Sequence, residues 1–383
     1  MKTILLSIVL WLALSASHAE DRLWVNAKIS GKPARLALDT GLGSEIGLFR
    51  SGADRLGLKL RRNGTYASLP LWQTGSCMVR LQGWSSWGFP YGIGHIWIVE
   101  IPSFVKTDAD GCVGWTAIRY RVVEFDALKQ TFKFLHEVPK ATACWTKMAL
   151  QPNSGILALK PESHNGDNEI ILVDTGAGCG IALSPQKWRE WETAPPNLPV
   201  TVRAEYGMAE GSTLRKQTWA NKFNLSSMEM TDLLVEEDTW GGKPPAGVVA
   251  TLGMAALKRL DFIVDGQHNV AYLRPKTTLA SPELHNRLGA TFVPRDPAGQ
   301  DLIAHVAGGS PAADAGIRNG DVLLKVGERD VTRWRNDPDW AYFEQGQVGT
   351  KVELTVLRGG ERLKFTAVLR DILAPNTVPS PSD

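Results

Sequence analysis

Asp39-Thr40-Gly41 and Asp174-Thr175-Gly176 each close an apolar run, Leu36-Ala37-Leu38 before the first and Ile170-Ile171-Leu172-Val173 before the second. One such turn means little, because Asp and Gly are ordinary turn residues and Asp readily bonds its own following backbone. Two of them, in equivalent places of two equivalent segments, mean more. Duplicated units tend to pack about a twofold axis, and an axis through both turns brings the two carboxyl groups together. Two carboxylates that close cannot both ionise, so one keeps a proton and the pair titrates as a unit. The ionised member can take a proton from water while the protonated one polarises a scissile carbonyl, which suits amide hydrolysis without a metal. Asp39 and Asp174 are therefore the candidate catalytic residues. Thr40 and Thr175 are candidates for orienting the loops through hydroxyl bonds, and Gly41 and Gly176 for letting backbone approach the carboxylates.

The elements that must position these residues also come twice. Val25 to Leu48 reads as strand, Gly31-Lys32-Pro33 turn, apolar strand and the first Asp-Thr-Gly; Gly155 to Gly176 repeats the order with a polar turn through Asn165-Gly166-Asp167. Further on, Gly111-Cys112-Val113-Gly114 precedes Val122 to Asp126 and Phe132 to Leu135, and Thr251-Leu252-Gly253 precedes Leu260 to Asp265 and Val270 to Leu273. These β-branched and apolar runs bounded by turn residues are strand signals. The separation from Asp to Gly is 75 residues in one copy and 79 in the other, which a duplication explains. Each copy also holds a hairpin signal with an aromatic followed by glycine, Trp72 to Gly75 and Tyr206-Gly207, and these four residues are candidate flap positions.

The two Asp-Thr-Gly motifs after apolar strands, over roughly Arg22 to Leu273, resemble the retropepsin-like aspartic peptidases. The resemblance implies a mainly β, bilobed fold, hairpin flaps over an extended peptide, and an acid-leaning endopeptidase that uses no cofactor. Two features depart from the family pattern: Leu42 after the first motif is bulky where Ala177 after the second fits, and the first flap region is rich in aromatics, with Trp84, Trp87, Phe89, Tyr91 and Trp97. After a change of composition at Pro275, Ser281 and Pro282, the segments Gly309-Ser310-Pro311-Ala312 and Asn319-Gly320-Asp321-Val322 resemble the PDZ family over about Glu283 to Asp371. That resemblance implies a small β-rich domain that adds a peptide as a strand to a sheet edge and holds a terminal carboxylate in a loop of amides, here Leu288-Gly289-Ala290.

The expected organisation is a signal peptide at 1–19, peptidase lobes at 20–140 and 141–275, a PDZ-like domain at 281–372 and a disordered tail at 373–383. Lys2, the short apolar run Ile4 to Leu14 and Ser17-His18-Ala19 carry the first of these and imply export to the periplasm or beyond, with no stable membrane span after cleavage. A formal net charge of +2 gives no basic surplus for nucleic acid. His-Glu-x-x-His and close Cys or His pairs at ligand spacing are absent, so no metal is expected. Cys77, Cys112, Cys144 and Cys179 allow three pairings, of which Cys77 with Cys112 and Cys144 with Cys179 closes loops of similar length, and free buried thiols are the alternative. The expected partners are a peptide or unfolded protein substrate and a PDZ-bound protein segment. Three other classes stay open: an inactive peptidase-fold adaptor binding peptides through its PDZ domain, a ligand-binding β protein, and a PDZ-bearing serine peptidase. The lack of a Gly-x-Ser-x-Gly nucleophile turn counts against the last.

Overall fold

The computed structural model describes residues 22–43, 45–58, 73–82, 93–99, 107–161, 169–192, 198–207, 211–238, 246–276, 284–295, 299–334 and 342–373. The expected signal peptide, Trp72, four of the five flap aromatics (Trp84, Trp87, Phe89 and Tyr91), Ser281, Pro282 and the tail beyond Leu373 lie outside the described residues. Among those described, no helix is long and apolar enough to cross a membrane.

The chain is mainly β, and its described residues form three hydrogen-bonded bodies of strands. The first is a closed barrel in the order Leu23–Ile29, Lys32–Asp39, Gly111–Gly114, Ile46–Phe49, Ile93–Val99, Gln73–Gln82, closed by pairing of Ile29 with Leu81. Lys32–Asp39 begins exposed and ends with four buried residues, because its last turn runs into the middle of the protein, where both faces are covered. Beside it, Gly111 has no room for a side chain: a Cβ there would lie 2.2 Å from the Gly47 carbonyl.

The second body is a twelve-stranded sheet that begins at Thr201–Gly207, Gly211–Leu225 and Met228–Glu237. It passes through Ile181–Leu183, Val248–Leu252 and Ile170–Val173, and ends at Leu260–Asp265, Val122–Asp126 and Thr131–Leu135. The last two strands come from the first half of the chain, with Phe125 paired to Phe262 in register and their rings 5.2 Å apart. One sheet thus runs through both halves, and one hydrophobic core holds Leu38, Leu48 and Val113 together with Leu157, Val173 and Leu252.

The duplication is visible in pairing as well as in sequence. Lys32–Asp39 lies parallel to Gly111–Gly114, which is antiparallel to Ile46–Phe49. Ile170–Val173 lies parallel to Val248–Leu252, which is antiparallel to Ile181–Leu183.

The third body contains Ala290–Pro294, Leu302–Val306, Val322–Val326, Lys351–Arg358 and Glu361–Val368, with Arg329–Asp330 attached to Val322–Val326. Its core is built on Leu288, Phe292, Trp334, Leu354 and Val356. Ser310 caps the short helix Pro311–Asp314 by accepting the Ala313 N–H at 3.2 Å, with Pro311 at the first helical position, where no N–H is needed. Arg358 grips Asp321 with two bonds of 2.7 Å, and the Arg318 amide donates to the same carboxylate at 2.9 Å. Leu373, which the sequence reading put in the tail, is buried, so the folded unit reaches at least that residue.

Candidate active site

The two Asp-Thr-Gly turns meet at the interface of the two halves. Thr40 and Thr175 make a reciprocal set of four bonds, all buried. The Thr40 N–H donates to Thr175 Oγ1 at 3.0 Å and the Thr175 N–H to Thr40 Oγ1 at 3.1 Å. Each hydroxyl then donates to a carbonyl across the interface, Thr40 to Val173 at 2.6 Å and Thr175 to Leu38 at 2.7 Å. A Thr hydroxyl both accepts and donates, which is why this residue type can close such a lattice twice over.

The lattice sets the aspartates face to face. Asp39 Oδ1 accepts the Gly41 N–H at 3.1 Å and Asp174 Oδ1 the Gly176 N–H at 2.8 Å. Each carboxyl group lies against the glycine of the opposite turn: a Cβ on Gly41 would be 2.6 Å from Asp174 Cγ, and one on Gly176 2.6 Å from Asp39 Cγ. Space, rather than backbone conformation, requires glycine at both positions. Leu42 and Ala177 donate their amides to the Asp39 and Asp174 carbonyls at 3.1 and 3.2 Å, so the two turns keep the same backbone course despite the difference in side chain. Leu42 is fully buried.

Asp39 is fully buried, and burial pushes its carboxyl well above the usual carboxylate range; the negative charge of Asp174 and a hydrogen bond to it push the same way, against the charge of buried Arg22 and the Gly41 amide. Asp39 Oδ2 faces no donor among the described residues other than what Asp174 could offer. Two ionised carboxylates could not bond each other, so one shared proton satisfies both. The sequence reading missed Arg22, because a lone Arg ahead of a strand carries no motif. Cys112, named in the sequence only as a disulfide candidate, stands beside Ala37 on the neighbouring strand. Burial, then the Asp39 charge, pushes that thiol up, so it stays protonated and is a poor nucleophile.

Other expected positions fall differently. Gly75 is not at a hairpin turn: it sits inside the continuous strand Gln73–Gln82, at an irregularity where the pairing with Ile93–Val99 shifts register. A Gly read as a turn signal is here a bulge. Tyr206 and Gly207 end the strand Thr201–Gly207 and pair with Ser212 and Gly211 next to the tip of a hairpin. Cys112, Cys144 and Cys179 are in no disulfide, so neither expected pairing forms. Leu288 and Gly289 already donate their amides to Asn286 Oδ1, at 3.0 and 2.9 Å.

A family model described as PDZ domain matches residues 286–369. No curated protein matches. A solved HtrA-type protease, an AlgW variant with a decapeptide, is 19% identical to this chain, covering 50% of it and 64% of that chain, with a TM-score of 0.21. This chain therefore spans less than two thirds of that structure, and an overlay so poor carries no argument about the fold of the lobes or their chemistry. These results correct the finer expectation. The family matched is PDZ, over residues 286–369 only, and no comparison carries the lobes, so the exported aspartic endopeptidase inferred by resemblance is set aside as an identity. What stands is a mainly β chain that carries a PDZ domain.

Proposed function

We propose, for a chain whose residues 286–369 form a PDZ domain, that it binds peptides and holds Asp39 and Asp174 as an acid–base pair at the junction of two retropepsin-like lobes. The observation that supports this is the reciprocal Thr40–Thr175 lattice, which forces two buried carboxyl groups into contact across the duplicated halves. Burying two acidic groups against each other costs stability even when they share a proton, and perturbed groups of this kind cluster at functional sites. A pair with one shared proton can both take and give a proton at the same reacting centre. Fold does not fix chemistry, so the proposal rests on these residues and not on a family's activity. A PDZ domain takes up an extended segment along a sheet edge, whether from another chain or from its own. Export, read from residues 1–19, belongs to the same proposal, and N-terminal sequencing of the mature protein tests it.

The deciding experiment titrates full-length protein beside Asp39→Asn and Asp174→Asn, following the carboxyl carbons by NMR, and measures binding of an unfolded, fluorescently labelled protein at the same pH values. Two linked titration steps in the wild type that become one in each variant, together with binding, support the reading. Independent titration of the two carboxyl groups refutes the pair, and absence of binding at every pH refutes the peptide side.

A further inference from the structure

The PDZ domain is fastened to the second half of the chain through one buried asparagine. Asn286 Nδ2 donates to the Val202 carbonyl at 2.8 Å, the Ala290 carbonyl at 2.8 Å and Glu344 Oε2 at 3.1 Å, so at least one of its two hydrogens is shared. Its backbone carbonyl accepts Thr201 Oγ1 at 2.9 Å. Its Oδ1 accepts the amides of Leu288 and Gly289. Asn286, Thr201, Val202 and Glu344 are all buried.

Thr201–Gly207 is the end strand of the twelve-stranded sheet, and it packs alongside Ala290–Pro294, the end strand of the PDZ sheet. Ala204 on the first strand packs against the PDZ core. Arg203, its neighbour, reaches Glu236 Oε2 at 3.3 Å, and its positive charge also acts on Glu344.

Two things a PDZ domain needs for a free chain end are thus already in use. Two of the three loop amides that would hold a terminal carboxylate, those of Leu288 and Gly289, have an acceptor in Asn286, and the strand beside them has a neighbour from the same chain. We propose that this PDZ domain is spent on its own chain: Asn286 stands in for a ligand carboxylate, and the domain clamps the stem of the hairpin that ends at Tyr206. The clamp is independent of whether the carboxyl pair turns over peptide. It makes the domain a brace on that hairpin rather than a receptor for free C-termini.

Hydrogen exchange on the full chain, wild type against Asn286→Ala, tests the proposal. The amides of Thr201–Gly207 should exchange at least about tenfold faster in the variant, while Leu260–Asp265 keeps its protection. Unchanged exchange in Thr201–Gly207 would overturn the clamp, and so would an equal rise in every strand, which marks general destabilisation. If Asn286→Ala does not fold, Thr201→Val, which removes only the hydroxyl bond to Asn286, is read by the same two criteria. In a second measurement, a random decapeptide pool and its C-terminally amidated twin should bind wild-type protein alike. A tenfold preference for the free carboxylate would show the loop open and the proposal wrong.

Discussion

Replacing Thr175 by Val keeps the shape of the side chain and removes one hydroxyl, so its effect isolates the lattice between the halves. Two buried groups lose their partner. The Thr40 N–H is left without an acceptor, which costs about 1–3 kcal/mol. The Leu38 carbonyl loses one donor but lies on a strand paired with Leu23–Ile29, so its loss is at the low end, about 1 kcal/mol. Together the variant should lose roughly 2–4 kcal/mol, a large part of the roughly 5–15 kcal/mol by which domains are stable. Thr40→Val breaks the mirror-image pair of bonds, to the Thr175 N–H and the Val173 carbonyl, and should cost about the same. The double variant should cost less than the sum, because loops freed by the first change can admit water to the groups stranded by the second. Urea unfolding followed by tryptophan fluorescence measures all three, with Thr175→Ser as the control that keeps the hydroxyl. A cost below about 0.5 kcal/mol for Thr175→Val, or clearly unequal costs for the two single variants, would refute the claim that a reciprocal lattice holds the halves together.

Gly41→Ala places a methyl group 2.6 Å from the Asp174 carboxyl carbon, so the opposed turns must separate; unfolding should show a loss of about 1–3 kcal/mol, with Gly176→Ala matching it. Asp39 binds its proton more tightly folded than unfolded, so its stabilising contribution is complete below the ordinary carboxylate range and is lost as pH rises toward the elevated folded value. Asp39→Asn should remove that decline, and identical stability–pH curves for variant and wild type would count against the raised pKa. Arg215 Nη1 lies 2.9 Å from Glu236 Oε1 and Arg215 Nη2 lies 3.2 Å from Asp238 Oδ1, all three groups being buried. Burial opposes ionisation of Glu236, but Arg203, Arg215 and Gln217 outweigh it and hold its pKa low. Arg215→Met should therefore cost about 3–5 kcal/mol in urea unfolding, with Glu236→Gln in the same chain restoring part of the loss.

The doubled turn was legible in the sequence because everything that makes it is local: an apolar strand, an Asp that bonds the amide two residues on, and a Gly with no side chain to collide. The lattice could be anticipated only in outline, since its bonds join residues 135 positions apart and no letter records which carbonyl a threonine will find. Strand partners were hidden for the same reason. Val122–Asp126 carries the same alternation whether it pairs within its own half or, as it does, with Leu260–Asp265 of the other. Gly75 was misread because a bulge and a hairpin turn draw on the same residue, and only the pairing partner separates them. Asn286 went unnoticed because an Asn before a Gly-containing loop looks like turn chemistry, and its contact with Val202 crosses 84 positions.

The shared sheet and the threonine lattice act on the carboxyl pair in different ways. Two turns bonded only to each other could rock together, carrying both aspartates without changing their separation but altering how they face a bound molecule. Strands Val122–Asp126 and Thr131–Leu135, added at the end of the sheet of the second half, tie the halves at a second place and remove that freedom. Asp265 anchors the turn that ends this region, accepting the amides of Gln267 and His268 at 3.1 and 3.2 Å, while Gly266 donates to the Arg121 carbonyl at 3.0 Å just ahead of Val122. A Cβ on Gly266 would lie 1.8 Å from the Arg119 carbonyl, so the contact admits no other residue without movement. Positioning groups to within about 0.5 Å requires support of this kind on rigid elements. Substituting Gly266 by Ala, far from both aspartates, should therefore disturb the pair by loosening the second tie while every bond of the threonine lattice remains available. A variant that loses at least about 1–3 kcal/mol of unfolding free energy and shows an altered Asp39 titration, read by carboxyl-carbon NMR, is the expected result; an unaltered titration would show that the lattice alone sets the geometry.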